Sequence, residues 1–318
     1  MEKKRVLVVY YSQTGQLARV VESVIGPLAA EPSIRVDLEC VRPENDYPFP
    51  WPFFRFLDVF PESVYLESPA LKPCGFDPDA DYDLIILAYQ VWFLSPSLPI
   101  AGFLQSASGR RVLAGKPVVT LIACRNMWLT AQERVKELLG AAGARLLDNI
   151  ALVDGGNSLA TFITTPRWLL TGHKGQTGGL LPPAGVAEAD IRDSARFGRA
   201  LVAALRGNLE RGEHPLLKGL RAVEVDERLI ASERIGYRSF KVWGRLIRAV
   251  GPQGAMRRKP LLAIYSVFLV AMILTVVPVT LLLRKALYPL MRSSLQRQKS
   301  LLELPSGSGD FRLEEFRE

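Results

Sequence analysis

The chain has 318 residues, a formal net charge of +8 and 48% hydrophobic residues. This length is enough to bury a large core in one or two domains. Its three cysteines are odd in number and lack metal-ligand spacing, which excludes a disulfide framework and a cysteine metal site and indicates a reducing compartment.

The positive charge is unevenly distributed along the chain. Residues 1–210 carry 21 Lys and Arg against 22 Asp and Glu, whereas residues 211–299 carry 17 against 5. We therefore expect a near-neutral domain over 1–210, followed by a basic amphipathic linker with helices over 211–259. The basic residues adjoin an apolar segment without any recognition motif, so nucleic acid is not an expected partner.

Strand and helix patterns alternate through the first 210 residues. The pattern predicts strands at about 5–11, 34–40, 84–88, 117–123 and 146–153, and helices near 16–29, 100–105, 129–142 and 187–205. Five apolar strands with intervening helices predict an α/β fold with a doubly wound parallel sheet. Two insertions interrupt the pattern: residues 41–80, rich in proline and aromatic residues, and residues 155–186, a glycine-rich loop.

The first predicted strand runs into a short polar turn that opens the next helix. Hydroxyls and backbone N–H groups meet there at the positive end of the helix, where a phosphate binds favourably. A Walker loop is excluded because no Gly-Lys-Ser/Thr follows, and a dinucleotide fingerprint is excluded because Gly15 is the only glycine in the turn. An ordinary capped turn is the alternative. The candidate phosphate-binding residues are Ser12, Gln13, Thr14, Gly15, Gln16 and Leu17.

Two further loops follow the third and fourth predicted strands, at the same edge of the sheet. The loop after strand three carries aromatic residues and prolines, and forms either a flat wall beside an isoalloxazine ring or a hydrophobic plug over the sheet end. The loop after strand four offers main-chain N–H groups and an amide to flavin N5 or to the pyrimidine oxygens. The candidate ring-binding residues are Gln90, Val91, Trp92, Phe93, Cys124, Arg125 and Asn126.

These three loops and the pattern around them resemble the flavodoxin-like flavoproteins over about residues 5–205, apart from the insertions. The resemblance is carried by Ser12-Gln13-Thr14-Gly15 and by residues 83–93. It implies the strand order 2-1-3-4-5 and FMN as the cofactor. Leu17 departs from the pattern, because many flavodoxins have a phosphate-binding threonine there.

Two segments also resemble a narrower family, the dialkylresorcinol condensing enzymes of the DarA type. They are residues 10–17, Tyr-Tyr-Ser-Gln-Thr-Gly-Gln-Leu, and residues 47–51 with Pro61-Glu62 after them. The resemblance implies oxidation of a cyclised precursor to an aromatic resorcinol. Because the chain has two histidines, it lacks a ketosynthase Cys/His/His constellation, and its residues favour redox chemistry over carbon–carbon bond formation.

Oxidation of such a ring needs a hydride acceptor and a base, and a flavin supplies the acceptor. Our candidate catalytic residues are His173 and Tyr89, with Lys174 as a further candidate. His173 is preferred because the ordinary pKa of histidine lies near neutrality, although an ordinary surface position is the alternative. Four large aromatic residues predict either an apolar lid over an alkyl chain or a membrane-interface belt: Trp51, Phe53, Phe54 and Trp168.

Residues 261–283 form an uncharged apolar run that, at 1.5 Å per residue, is long enough to cross a bilayer core of about 30 Å. We expect a hydrophobic membrane helix over 260–285. Both flanks of the run are basic, so the charge pattern does not determine the topology of this helix. It fits a helix that spans the membrane and also a re-entrant or in-plane helix with both ends in the cytoplasm. The tail over 286–318 is expected to be basic and then flexible.

These features predict a membrane-associated FMN oxidoreductase that acts on a lipophilic ring substrate. Its head would lie in the cytoplasm against the anionic surface of the cytoplasmic membrane. An NAD(P)H–quinone reductase and a flavin-free scaffold that recruits biosynthetic enzymes are the alternatives. A homodimer is left open, and no metal site is predicted.

Overall fold

The computed structural model describes residues 3–156, 158–175 and 182–317, and only the backbone of 158, 159 and 276–291. Part of the glycine-rich insertion, residues 157 and 176–181, therefore lies outside the described residues. The described strands are β1 (Lys4–Tyr10), β2 (Ile34–Cys40), β3 (Leu84–Tyr89), β4 (Val91–Trp92), β5 (Ser95–Pro96), β6 (Pro117–Cys124) and β7 (Arg145–Val153). The described helices are α1 (Gln16–Ala30), α2 (Phe53–Tyr65), α3 (Leu98–Gln105), α4 (Ala107–Leu113), α5 (Leu129–Ala141), α6 (Ser158–Thr171), α7 (Glu188–Asp193), α8 (Ala195–Arg206), α9 (Glu227–Val250) and α10 (Lys259–Leu302).

Five of these strands form one parallel sheet in the order β2-β1-β3-β6-β7. In terms of the five predicted strands this is the order 2-1-3-4-5, so the predicted flavodoxin-like, doubly wound topology is confirmed. The central strand β1 pairs with β2 on one side and β3 on the other, with Val8 opposite Leu38 and Ile86. The strand order reverses at β1 and β3, which places the switch-point crevice beyond the carboxyl ends of these two strands.

The core lies on both faces of this sheet, because its central strands are apolar on both sides. β3 is buried over its whole length, and residues 6–9 of β1 are fully buried. Helix α1 packs against the sheet and against α8, while α5 packs against β7 and α3. Apolar runs without alternation predict such doubly covered strands.

The insertions and the last predicted helix differ from their sequence patterns. Residues 41–80 contain α2, and residues 155–186, expected to be a loop, contain α6. Each helix has an interior proline, Pro61 and Pro166, which lowers the helical signal in the sequence. The helix predicted over 187–205 is two helices, α7 and α8, separated at Ser194, whose buried hydroxyl donates to the carbonyl of Ile191.

A second, smaller core joins α2 to α9 and to the start of α10. It contains Phe60, Ile247, Leu262 and Tyr265, and the rings of Phe60 and Tyr265 stack at a centroid distance of 4.5 Å. Among the described residues, one stretch, Met256–Thr275, is long and apolar enough to cross a membrane, with a mean hydropathy of 1.6. Length and composition alone support that statement.

The tail after α10 is packed against the head, contrary to the flexibility expected from its composition. Ser306 is fully buried; its hydroxyl donates to Asp148 at 2.8 Å and accepts from the Asn149 N–H at 2.7 Å. The N–H of Arg221 donates to the carbonyl of Gly309 at 2.7 Å. The glycine and serine content of this segment predicts a flexible linker, but contacts with buried residues of β7 hold the segment in place.

Candidate functional site

A cavity of about 160 Å³ opens at the carboxyl edge of the sheet, where the three predicted loops meet. It brings together most of the candidate phosphate- and ring-binding residues. Ser12, Gly15 and Asn126 are not part of its lining. The lining residues are Gln13, Thr14, Gln16, Leu17, Trp51, Phe56, Gln90, Val91, Trp92, Phe93, Ala123, Cys124, Arg125, Asp154, Thr165, Trp168, Leu169 and Gly185.

The first loop leaves the start of α1 accessible to a ligand. Gly15, at the N-cap, has a left-handed backbone with a φ of 79° and has no side chain with which to cap the helix. The space that a Cβ of Gly15 would face is open to at least 4 Å. The Ala18 N–H donates to Ser12 Oγ at 3.2 Å, and the Gln16 N–H to Thr14 Oγ1 at 3.5 Å. Such a helix start, flanked by hydroxyls, suits an anionic group.

Leu17, which departs from the flavodoxin pattern, has a structural role as well. Its side chain is fully buried in the main core, and it is also one of the residues that line the cavity. Leucine at this position therefore supplies packing where a threonine would supply a hydroxyl, so the backbone N–H groups and the Thr14 hydroxyl remain as donors for a phosphate.

The second loop is a tight hairpin that presents Trp92. Val91 and Trp92 pair with Ser95 and Pro96 through a two-residue turn. Both turn residues, Phe93 and Leu94, have positive φ values, 48° and 61°, which side chains with a Cβ rarely adopt. Backbone strain of this kind is often found at ligand-binding sites.

Trp92 is enclosed by aromatic side chains from the first loop and the first insertion. Its ring makes edge-to-face contacts with Tyr11, Tyr47 and Trp51 at centroid distances of 5.9, 5.0 and 5.7 Å. Burial raises the pKa of Tyr47 to about 12, so its phenol stays neutral. These rings fill the space beside Trp92 and explain why the cavity is small.

Hydrogen bonds hold the first insertion over the phosphate loop. Trp51 Nε1 donates to Gln13 Oε1 at 3.0 Å, and Gln13 Nε2 donates to the carbonyl of Pro48 at 2.9 Å. The Trp51 N–H donates to the carbonyl of Leu169 in α6 at 2.8 Å. The two insertions thus form a joint cover over the cavity.

The four aromatic residues predicted as a lid or a membrane belt divide into two pairs. Trp51 and Trp168 line the cavity and are nearly buried. Phe53 and Phe54 lie outside the cavity with exposed fractions of 47% and 42%. The tryptophans therefore have the position of a lid, and the phenylalanines that of a surface belt.

Two opposite charges flank the cavity. Burial lowers the pKa of Arg125 to about 10, and the nearby Asp154 carboxylate opposes this effect. Arg125 Nε donates to Thr161 Oγ1 at 2.8 Å, and its guanidinium lies 3.8 Å from the ring centre of Phe162. Asp154 accepts the N–H of Gly185 at 2.6 Å. Arg125 stays protonated at neutral pH and brings a positive charge to the cavity wall.

The candidate catalytic residues lie outside the cavity lining. His173 is exposed, with Nδ1 at 3.1 Å from the carbonyl oxygen of Thr171. Tyr89 is fully buried, its hydroxyl donates to Gln132 Oε1 at 2.6 Å, and burial raises its pKa. Lys174 forms an ion pair with Glu188 at 3.6 Å. The catalytic role of His173 and Tyr89 stays a prediction that this geometry does not favour.

Sequence reasoning missed several residues of the cavity wall. Asp154 directly follows β7, so the rule that ligands bind at the carboxyl ends of strands was a signal for it. Phe56, Thr165 and Leu169 belong to helices inside the insertions, and Gly185 follows the second insertion helix. No pattern in the local sequence indicates that these residues fold back over the sheet edge.

Comparisons with known proteins find similar structures only. No protein-family model and no curated protein matches the chain. A flavoprotein in complex with FMN from Lactobacillus acidophilus NCFM is 16% identical, with a TM-score of 0.38 over 46% of this chain and 93% of that one. A flavodoxin from the domain Archaea is 12% identical, with a TM-score of 0.34 over 64% of this chain and 99% of that one.

General stress protein 14 from Treponema denticola, in complex with FMN, is 9% identical, with a TM-score of 0.33 over 63% of this chain and 99% of that one. Likenesses this distant carry no conclusion about ligand or reaction. The assignment of the fold rests instead on the order and direction of the five strands.

Proposed function

We propose that this chain is a membrane-associated, FMN-dependent oxidoreductase that acts on a lipophilic ring substrate. The observation that supports it best is the meeting of three loops in one cavity at the switch point of a flavodoxin-like sheet. Two of the similar solved structures, from Lactobacillus acidophilus and Treponema denticola, are complexes with FMN, and the same cofactor is proposed here. Aromatisation of a cyclised precursor, as the resemblance to the dialkylresorcinol family implies, is the proposed reaction.

The residues of the cavity suit the phosphate and the ring of FMN, but the cavity itself is too small for the whole cofactor. The start of α1, with Thr14 and Gln16, suits the phosphate, and Arg125 adds a positive charge. Trp92 offers an aromatic face to the ring system. Pockets for ligands of this size typically measure about 300–1,000 Å³, more than the observed 160 Å³. We therefore expect that Trp51 or Tyr47 moves away from Trp92 when FMN binds.

Bound FMN would supply two-electron transfer, and the protein would position the substrate and exclude water. Oxidation of the ring removes a hydride and a proton, and the reduced cofactor then needs an electron acceptor of its own. The nearly buried Trp51 and Trp168 would cover the ring and keep water out.

The experiment that tests this proposal is FMN binding by the purified full-length chain in detergent. We expect visible flavin absorbance and, at a hundredfold excess over the dissociation constant, a gain in stability of about 2.7 kcal/mol. A colourless protein with an unchanged melting temperature in FMN would refute the proposal. Turnover of NAD(P)H with a quinone would instead favour the quinone reductase.

The small cavity favours one second candidate, a flavin-free scaffold that recruits biosynthetic enzymes to a membrane. If that function is correct, the aromatic cover around Trp92 is permanent and the residues beneath it serve stability. Thr14→Asp then leaves function in cells intact, whereas it abolishes function if an anionic cofactor binds at the first loop.

A further inference from the structure

The two ends of α10 contact the same helix of the head at neighbouring positions. Near the start of α10, the ring of Tyr265 contacts Phe240 of α9 at a centroid distance of 6.5 Å. Near its end, Arg234 Nη1 of α9 donates to Gln298 Oε1 at 3.3 Å. After α10, the tail continues along the head, with Ser306 bonded to Asp148 of β7.

These contacts exclude one straight helix over the whole of α10. Phe240 and Arg234 are six residues apart on α9, which is about 9 Å along the axis. Tyr265 and Gln298 are 33 residues apart, which is about 50 Å along a straight helix. Direct contacts between side chains do not bridge a difference of about 40 Å. Although the backbone of α10 is helical throughout, its axis therefore bends back between Tyr265 and Gln298.

We propose that α10 enters a bilayer and returns to the same side, so that the chain is anchored without crossing the membrane. This inference rests on the proposed membrane association. Among the α10 side chains that the structure describes, the last one packed in the second core is Leu269, and 28 residues lie between it and Gln298. Two equal arms of these residues reach about 21 Å, short of a bilayer core of about 30 Å. Their turn falls at Arg284 and Lys285, whose charges keep it at the level of the lipid headgroups, so the two arms are strongly tilted in the membrane.

The exposed side chains of α10 fit a bilayer rather than water. Ile264, Val267, Val270 and Leu274 have exposed fractions of 58%, 70%, 55% and 70%, although all four are apolar. A group of exposed apolar residues of this kind marks an interaction surface.

The charges at the two ends of α10 favour the same leaflet. Arg257 and Lys259 are exposed at its start, and Arg292 and Arg297 are exposed near its end. Basic residues are retained on the cytoplasmic side and are attracted by anionic lipids. A crossing helix would carry one of these basic pairs to the opposite side, whereas a returning helix keeps both at one anionic surface.

This anchor also brings the cavity close to the membrane. Phe93 lines the cavity and contacts Phe60 at 5.4 Å, and Phe60 stacks on Tyr265 of α10. Two aromatic rings therefore separate the cavity from the apolar segment. A substrate dissolved in the bilayer would reach the cavity from this side.

The test is thiol labelling of the full-length chain in sealed membrane vesicles of both orientations. Cysteines are introduced singly by Gln253→Cys and Gln296→Cys, which flank the apolar segment, and by Leu274→Cys within it. The parent chain, with its three cysteines, gives the background for a membrane-impermeant maleimide. We expect Gln253→Cys and Gln296→Cys to react only from the side of the head, and Leu274→Cys to react only after detergent is added.

Reaction of Gln253→Cys and Gln296→Cys from opposite sides would overturn the returning helix while leaving the membrane association intact. Protein that does not sediment with membranes would refute both the returning helix and the membrane association. An oxidative cross-link between Asp148→Cys and Ser306→Cys in vesicles is a second measurement, because the tail reaches the head only if both lie on one side.

A binding assay tests the lipid chemistry separately. Flotation with phosphatidylglycerol vesicles should fall about 25-fold for Arg292→Gln/Arg297→Gln, at about fivefold per removed charge. The matched control, Lys72→Gln/Arg110→Gln, removes two exposed charges of the head and should keep most of the flotation. Equal losses in the two variants would contradict attraction at the end of α10.

Discussion

Replacing Arg258 by methionine should detach the start of α10 from the head. The Arg258 side chain is only 1% exposed and donates to Glu62 Oε1 at 2.7 Å, to Asp58 Oδ1 at 3.1 Å and to the carbonyl of Gly251 at 2.7 Å. Methionine fills a similar volume but leaves two acidic side chains, 8% and 14% exposed, without their cation.

The magnitude follows from the burial of this ion triad. Removing one partner of a buried ion pair costs about 3–5 kcal/mol, because the remaining charge is left desolvated and unpaired. Arg257, the preceding residue, is exposed, so Arg257→Met should change the free energy of unfolding by less than about 0.5 kcal/mol. The second variant Arg258→Met/Glu62→Met should recover part of the loss, because an apolar pair replaces the charges.

The assay is equilibrium unfolding in urea, in detergent, followed by tryptophan fluorescence. Trp243 lies 5.5 Å from the ring of Tyr265 and reports on the contact between α9 and α10. Equal free energies of unfolding for Arg258→Met and Arg257→Met would refute the claim that the buried ion triad holds α10 on the head.

Three further predictions concern the cavity and the tail. Thr14→Asp should weaken FMN binding roughly 100-fold or more in a fluorescence titration, because a carboxylate repels the phosphate, whereas Thr14→Asn should not. Trp51→Phe removes the bond to Gln13, which should cost about 1 kcal/mol of stability and accelerate FMN association in stopped-flow measurements. Burial raises the pKa of Asp148 from 3.8 to about 6, so its contribution favours folding below pH 4 and is lost as the pH rises through 6. Asp148→Asn should remove up to roughly 3 kcal/mol of that pH dependence, measured by unfolding at pH 4 and pH 7.

Each of these predictions has an outcome that contradicts it. Equal FMN affinities for Thr14→Asp and Thr14→Asn would place the phosphate elsewhere. An unchanged association rate for Trp51→Phe would mean that the cover is not the barrier to binding. A pH dependence of stability identical in the parent and Asp148→Asn would show that Asp148 keeps its ordinary pKa in the fold.

The sheet and the three loops were accessible to sequence reasoning because local pattern specifies them. Uninterrupted apolar runs define buried strands, and the carboxyl ends of parallel strands share one edge. Most of the predicted ring- and phosphate-binding residues meet in the cavity for this reason. The bounds of the five strands of the sheet differ from the predicted ones by at most one residue at either end, as fraying ends and neighbouring turns allow.

The cover over the cavity and the course of the tail were decided by contacts between distant parts of the chain. Trp51 closes the cavity through Gln13 and Leu169, and Ser306 is ordered by Asp148, partners separated in sequence by 38, 118 and 158 residues. The composition of a proline-rich or glycine-rich segment indicates its intrinsic flexibility. It does not indicate which distant residues the segment contacts in the fold. Local periodicity therefore determined the strands and helices and the edge of the sheet at which the site lies. Packing between residues distant in sequence determined how the cavity is covered and where the two ends of α10 contact the head.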